Sequence, residues 1–177
     1  DTRAHNELLI PTITEVLAEA GMEFSDLDAV VTGVGPGPFT GLRVGMATAS
    51  ALADALSIPL HGICTHDAIA AAADLHVEPA AAADEATALV ATDARRKEIY
   101  WATYRATDSG VQRISGPAVT KPAELEVEFA STAEVIIPDR LAGQLPERFA
   151  ALPHRAAHPT ASALVLSLIH ISEPTRL

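Results

Sequence analysis

A chain of 177 residues with 23 acids against 12 bases, a net charge of −11, has material for one domain or two small ones. That balance repels a phosphate backbone, and the longest basic run is only Arg95-Arg96-Lys97, so an independent grip on nucleic acid is not expected. Cys64 is the single cysteine, which rules out an internal disulfide and favours a reducing, cytoplasmic setting; no apolar run reaches membrane length, so no membrane is expected.

Taken in order, Leu9, Ile13, Val16, Leu17 and Ala20 form a helical stripe with Glu7, Glu15 and Glu19 off it, and Gly21 ends the helix. Pro11 either sits in the first turn of that helix or kinks it. After the turn at Ser25 to Asp28, the β-branched run Val30 to Thr32 reads as a buried strand. Glycines and prolines then crowd residues 33–38, and a long helix is expected from Gly41 to Leu56. Gly41, Gly45 and Ala49, four apart, share one face with Leu52 further along, so another helix can approach closely. Mid-helix glycine costs about 1 kcal/mol relative to alanine, so Gly45 needs a compensating reason.

Ile58 to Cys64 reads as a second strand, and Thr65 as the cap of a helix reaching Leu75. Glu78 to Asp84 is the linker candidate. Beyond it, Thr87 to Thr92 is a strand paired with Lys97 to Arg105 across a turn at Asp93 to Arg96, and Val111 to Ile114 adds a third. Lys121 to Leu125 opens a short helix, Val135 to Ile137 is a strand, and the stretch past Arg140 carries little pattern. Strands alternating with helices argue an α/β fold.

Three groups of residues invite chemistry. The glycine turn before the long helix reads either as a phosphate cradle of backbone N–H groups or as a tight turn that sets a packing angle; it lacks the Walker lysine. Asp93, just past a strand end, reads either as a metal and phosphate ligand or as an Asx turn onto Arg95 or Arg96. Cys64, His66 and Asp67 are too close in sequence at a strand–helix junction to form a nucleophile and base, and His61, His66 and His76 lack the spacing of a zinc helix. No catalytic residue and no metal set is assigned. Tyr100 and Tyr104 share a strand face while Trp101 points away, an arrangement read as packing between two halves.

Gly35-Pro36-Gly37-Pro38-Phe39-Thr40-Gly41-Leu42-Arg43 resembles the G-P-G-S-F-T-G-[LVI]-R signature of the TsaB family, bacterial subunits of the machinery that makes threonylcarbamoyladenosine beside the tRNA anticodon. Pro38 stands where serine is commoner and removes one donor from the turn. Thr92 to Trp101, containing Asp93-Ala94-Arg95 and Glu98-Ile99-Tyr100-Trp101, resembles that family's D-A-R-x-x-E-V-Y-W hairpin. The resemblance implies an actin-like (RNase-H-like, ASKHA) two-lobed α/β fold. Residues 1–85 would be its first half, N-terminally truncated, and 86–165 its second, C-terminally truncated. Residues 166–177 are set apart, because Leu166 to Arg176 resembles a translated sequencing adapter.

Function follows from the resemblance as a further expectation: a non-catalytic dimerisation subunit that pairs with TsaD, which carries the threonylcarbamoyl transfer. TsaE, an ATPase, joins at the junction, and a homodimer is allowed without TsaD. The chain would hold no cofactor of its own, ATP would be used by the complex, and tRNA would be reached only through it. The resemblance places the partner surface on Leu9, Ile13, Val16 and Leu17 together with Gly41, Gly45, Ala49 and Leu52. It marks Gly35, Pro36, Gly37, Phe39, Thr40 and Arg43 as the signature turn, with Asp93 and Arg95 as a remnant of a phosphate loop. The rival expectation is an actin-like ATPase or kinase using the turn for phosphate. For a peptidase, no nucleophile–base arrangement is found.

Overall fold

Strand β3 (Thr87–Arg95) is the hub on which most of the molecule is assembled. In the computed structural model, which describes residues 5–73, 75, 86–107, 110–127, 132–170 and 175–176, β3 pairs antiparallel with β4 (Glu98–Thr107) and parallel with β6 (Thr132–Ile136). The sheet continues through β5 (Gly110–Thr120) beyond β4 and β7 (His154–Arg155) beyond β6. Successive β3 residues point to opposite faces, and both faces are covered, so Thr87 to Ala91 are all buried. Ala88 and Val90 meet Ala102, Tyr104 and Ile136 and, above them, Ile69, Ala70 and Ala73 of helix α3 (Thr65–Ala72) and its end. Leu89 and Ala91 meet Ile99, Val135 and Ile137 on the other face, closed by Leu125, Leu141, Leu145 and Phe149. Leu125 follows a 3-10 turn, Leu141 and Phe149 lie in two four-residue helices, α4 (Asp139–Ala142) and α5 (Glu147–Ala150), and Leu145 lies between those helices.

A smaller sheet pairs β1 (Val30–Gly33) parallel with β2 (Leu60–Ile63), with β8 (Thr175–Arg176) antiparallel on β2. β1 is half-buried along its length rather than buried as expected, because β2 is its only strand neighbour among the described residues. Helix α1 (His5–Glu19) contains Pro11 in its interior, well past the first turn. Leu9, Ile13 and Leu17 are half-buried on it, whereas Val16 of the same stripe is 58% exposed. Helix α2 (Phe39–Leu56) turns Ala49 and Ala53 inward.

Other differences from the sequence reading have local causes. The N-cap of α3 is Cys64, one residue before the expected Thr65. The β3–β4 turn is only Arg96-Lys97, because a bulge after Asp93 takes up the extra residue. β5 runs well past Ile114, since pairing with β4 carries it over irregularities that hide its alternation. The expected helix at Lys121 is a single 3-10 turn, Pro122–Glu124. The linker Glu78 to Asp84 lies outside the described residues, as does the boundary between 85 and 86. Helix α6 (Ala161–His170) runs across residue 166, packs on α3, and buries Ala163 and Ser167 one turn apart.

Helix α3 follows the small sheet in sequence yet roofs the large one, and polar contacts fix it there. Asp67, 4% exposed, accepts a hydrogen bond from the Tyr104 hydroxyl at 2.7 Å and two from Arg113 Nη1 at 3.1 and 3.3 Å. Tyr104 packs on this face against Ile69 and Ala70, and Trp101 packs against the cluster on the opposite face. His66, fully buried, shares a 2.8 Å hydrogen bond between Nε2 and Thr92 Oγ1. Burial, with help from the Arg113 charge, pushes His66 down to about 4.

His66 is therefore neutral when folded, and the unfolded chain binds the extra proton between about pH 6.5 and 4, so stability falls as pH drops through that window. At ~1.4 kcal/mol per pH unit the loss approaches about 3 kcal/mol. Asp67 acts in the opposite sense: burial outweighs its bonds to Tyr104 and Arg113 and raises its carboxyl, so its contribution fades as pH rises. Urea unfolding across this range should show His66→Gln losing the acid-side decline that the parent displays. Parallel profiles for the two proteins would show that His66 is not held neutral.

Candidate functional site

The turn between β1 and α2 is built from backbone specialists and bolted to the start of α3. Val34 N–H donates to Ile63 O at 2.9 Å, and Thr65 N–H donates to Gly35 O at 2.7 Å. Gly35 is buried at φ +101°, and a Cβ there would meet Leu42 Cδ1 at 3.1 Å, so both conformation and space call for glycine. The Gly35–Pro36 peptide is cis. Leu42 N–H donates to Pro38 O at 3.0 Å and starts the helix, with Pro38 at the N-cap offering no side-chain acceptor. Phe39 stays 70% exposed, its ring under the Arg43 guanidinium at 5.3 Å, and Thr40 is exposed beside it.

This turn forms one wall of a cleft of about 620 Å³, where Gly37, Gly41 and Gly45 face Asp93, Arg140 and His158. Asp93 Oδ1 accepts the Arg95 N–H at 2.7 Å, the Asx turn read from the sequence. Its other oxygen accepts Arg140 Nη1 at 2.6 Å, and that bond, with the Arg95 N–H, holds the Asp93 carboxyl below the usual carboxylate range. Among the described residues no three His, Cys, Asp or Glu side chains gather as metal ligands.

The small-residue face of α2 divides in two. A Cβ built on Gly41 or Gly45 finds nothing within 4 Å, so neither glycine is there to admit this chain's own sheet. Ala49 does pack inward, at 8% exposure, and Leu52 is half-buried between. On α1, Leu17 lines a separate shallow groove with Met22 and Phe24.

Arg140, His158 and Arg113 were not legible as site residues. Arg140 lies 47 residues from Asp93 and Arg113 lies 46 from Asp67, with no local pattern at either end. A second cavity of about 400 Å³ brings Cys64, Tyr100 and Arg113 together. Burial pushes the Cys64 thiol up, and the Asp67 charge adds to it, so the thiol stays protonated, and His66 is committed to Thr92.

This α/β arrangement, with a glycine-turn helix over a cleft, defines the class, and comparisons with known proteins define the family. The profile of the family TsaD, tRNA N6-adenosine threonylcarbamoyltransferase, matches residues 2–162. An uncharacterized protein of Mycobacterium leprae is 49% identical over 132 residues, 75% of this chain and 33% of that protein. The tRNA threonylcarbamoyladenosine biosynthesis protein TsaB of Escherichia coli is 34% identical over 110 residues, 62% of this chain and 45% of that protein. YeaZ of Pseudomonas aeruginosa superposes with a TM-score of 0.78 at 26% identity, over 98% of this chain and 81% of that structure. The chain belongs to the tRNA N6-adenosine threonylcarbamoyltransferase family, and within it is of the TsaB type, with the actin-like α/β fold expected. It spans between a third and about half the length of the curated relatives named or like those named here.

The two kinds of glycine in this site should respond oppositely to alanine. Gly35→Ala, forced to a positive φ against Leu42, should lose roughly 1–3 kcal/mol in thermal unfolding. Gly45→Ala, in open space inside a helix, should gain up to about 1 kcal/mol. A destabilised Gly45→Ala would mean that the α2 face is already occupied within the chain.

Proposed function

We propose that the chain acts in threonylcarbamoyladenosine biosynthesis on tRNA as a non-catalytic, TsaB-type subunit that pairs with a TsaD-type catalytic subunit. The observation that carries this reading is the open space over Gly41 and Gly45, on the side of α2 that borders the cleft, two helix-weakening residues that no contact within 4 Å of an added Cβ requires. Close approach of a helix from another subunit supplies the reason for them, and the half-buried Leu9, Ile13 and Leu17 of α1 offer apolar surface for the same pairing. The chain then holds no cofactor of its own: ATP is used by the complex, a TsaE-type ATPase joins the pair, and tRNA is engaged through the assembly in the cytoplasm. A homodimer through the same face is the state expected without the partner.

Gly45→Leu should leave circular dichroism unchanged, because the space around it is open, while filling the gap meant for a partner helix. An overpacking cost of roughly 1–3 kcal/mol corresponds to about tenfold or more in affinity for the catalytic subunit, read by titration calorimetry. A folded Gly45→Leu protein with undiminished affinity would rule this face out.

The second reading, an ATP-binding enzyme, is favoured only by the N-terminus of α2 opening on the cleft of about 620 Å³. Both Asp93 oxygens are engaged by Arg95 and Arg140, which argues against a metal–phosphate role. No ATP turnover above background is expected from the chain alone, and a turnover abolished by Asp93→Ala would establish the enzyme instead.

A further inference from the structure

We propose that the tip of the β3–β4 hairpin, Arg95-Arg96-Lys97, is a contact for the phosphate backbone of tRNA. This rests on the function proposed above and adds a surface to it. The register runs Thr92 to Tyr100, Asp93 to Ile99 and then, after a bulge, Arg95 to Glu98, which leaves Arg96 and Lys97 as a two-residue turn. Their φ angles are 50° and 63°, and Arg95 before them is at 63°. Turns of this kind favour Asn-Gly, and a side chain in the left-handed region costs roughly 1–2 kcal/mol. Three consecutive long cationic residues thus occupy positions where smaller residues would be more stable. The Asx bond from Asp93 to the Arg95 N–H helps hold the first of them in place.

The side chains at this tip are also exposed and outside any ion pair among the described residues, although the Arg95 charge helps hold the Asp93 carboxyl down. Arg113, Lys121, Arg140 and Arg155 each pair with an acid, whereas no ion pair engages the side chains of Arg95, Arg96 or Lys97 among the described residues. All three are exposed, and Glu98 opposite Arg95 is the acid nearest in register. Strain that presents three exposed cations from one turn, on a chain of net charge −11, marks a local anion contact rather than a general affinity for polyanions. A ribose-phosphate strand, with a charge at every residue, matches three adjacent cations and is the polyanion that the proposed assembly must hold.

The double variant Arg96→Asn with Lys97→Gly removes two charges while installing the residues that the turn prefers, so misfolding does not confound it. The probe is an unmodified tRNA transcript, titrated over a salt series against the chain alone and against its complex with the TsaD-type subunit. The variant should melt at or above the parent temperature, still join the complex, and bind the transcript several-fold more weakly at low salt. The slope of log affinity against log salt should fall by about 1 to 2. Unchanged affinity and slope, or no binding of the transcript by the parent in either form, would overturn the proposal. Competition by polyglutamate as effective as by RNA would overturn it too, in favour of an acidic protein surface. If the parent fails to join the catalytic subunit while the chain alone shows hairpin-dependent RNA binding, the proposed function fails and the hairpin contact stands.

Discussion

A buried carboxylate ties the two sheets of this protein together. Asp67 sits in the first turn of α3, almost without exposure, and its charge is met by the Tyr104 hydroxyl and by Arg113 from the large sheet. Buried charge is costly unless hydrogen-bonded, so the three groups have to be arranged together or not at all. The arrangement fixes where α3 lies. With α3 fixed, Ile69, Ala70 and Ala73 close one face of β3 and β4, and the Thr65 N–H is held where it can bind Gly35 O.

From that bond the site follows. The Gly35 carbonyl anchors the turn, the turn sets the start of α2, and α2 brings Gly41 and Gly45 to the wall opposite Asp93 and Arg140. The cleft is thus a consequence of packing at the seam rather than of any single loop. The acid on its wall is paired with Arg140, and behind that wall the Cys64 thiol is kept protonated by burial and the buried His66 is neutral and bonded to Thr92.

Much of this was legible where the chemistry is local. The glycine turn, the long helix after it and the Asx turn at Asp93 are written in adjacent residues, and each lies within a residue or two of where those residues indicate. The family signature at Gly35 to Arg43 and the hairpin after Asp93 carried the fold, because turn chemistry and helix starts demand particular residues at particular offsets. What escaped was long-range. Asp67 reads from sequence only as part of a Cys64, His66 and Asp67 cluster at a strand–helix junction, and nothing near it points to Tyr104 or Arg113. Arg140 falls in a stretch of four-residue helices too short to show a period, so both the helices and the ion pair went unread. The positive φ at Arg96 and Lys97 was hidden for the opposite reason, since the residues there contradict the turn they make.

The most direct measurement of an assembly role is hydrogen–deuterium exchange on the chain free and bound to a TsaD-type catalytic subunit. Slowed exchange confined to α1 and to residues 41–52 of α2, with β5 unchanged, is the expected result. Protection along β5 with α2 unaffected, or no change anywhere on addition of that subunit, would contradict it.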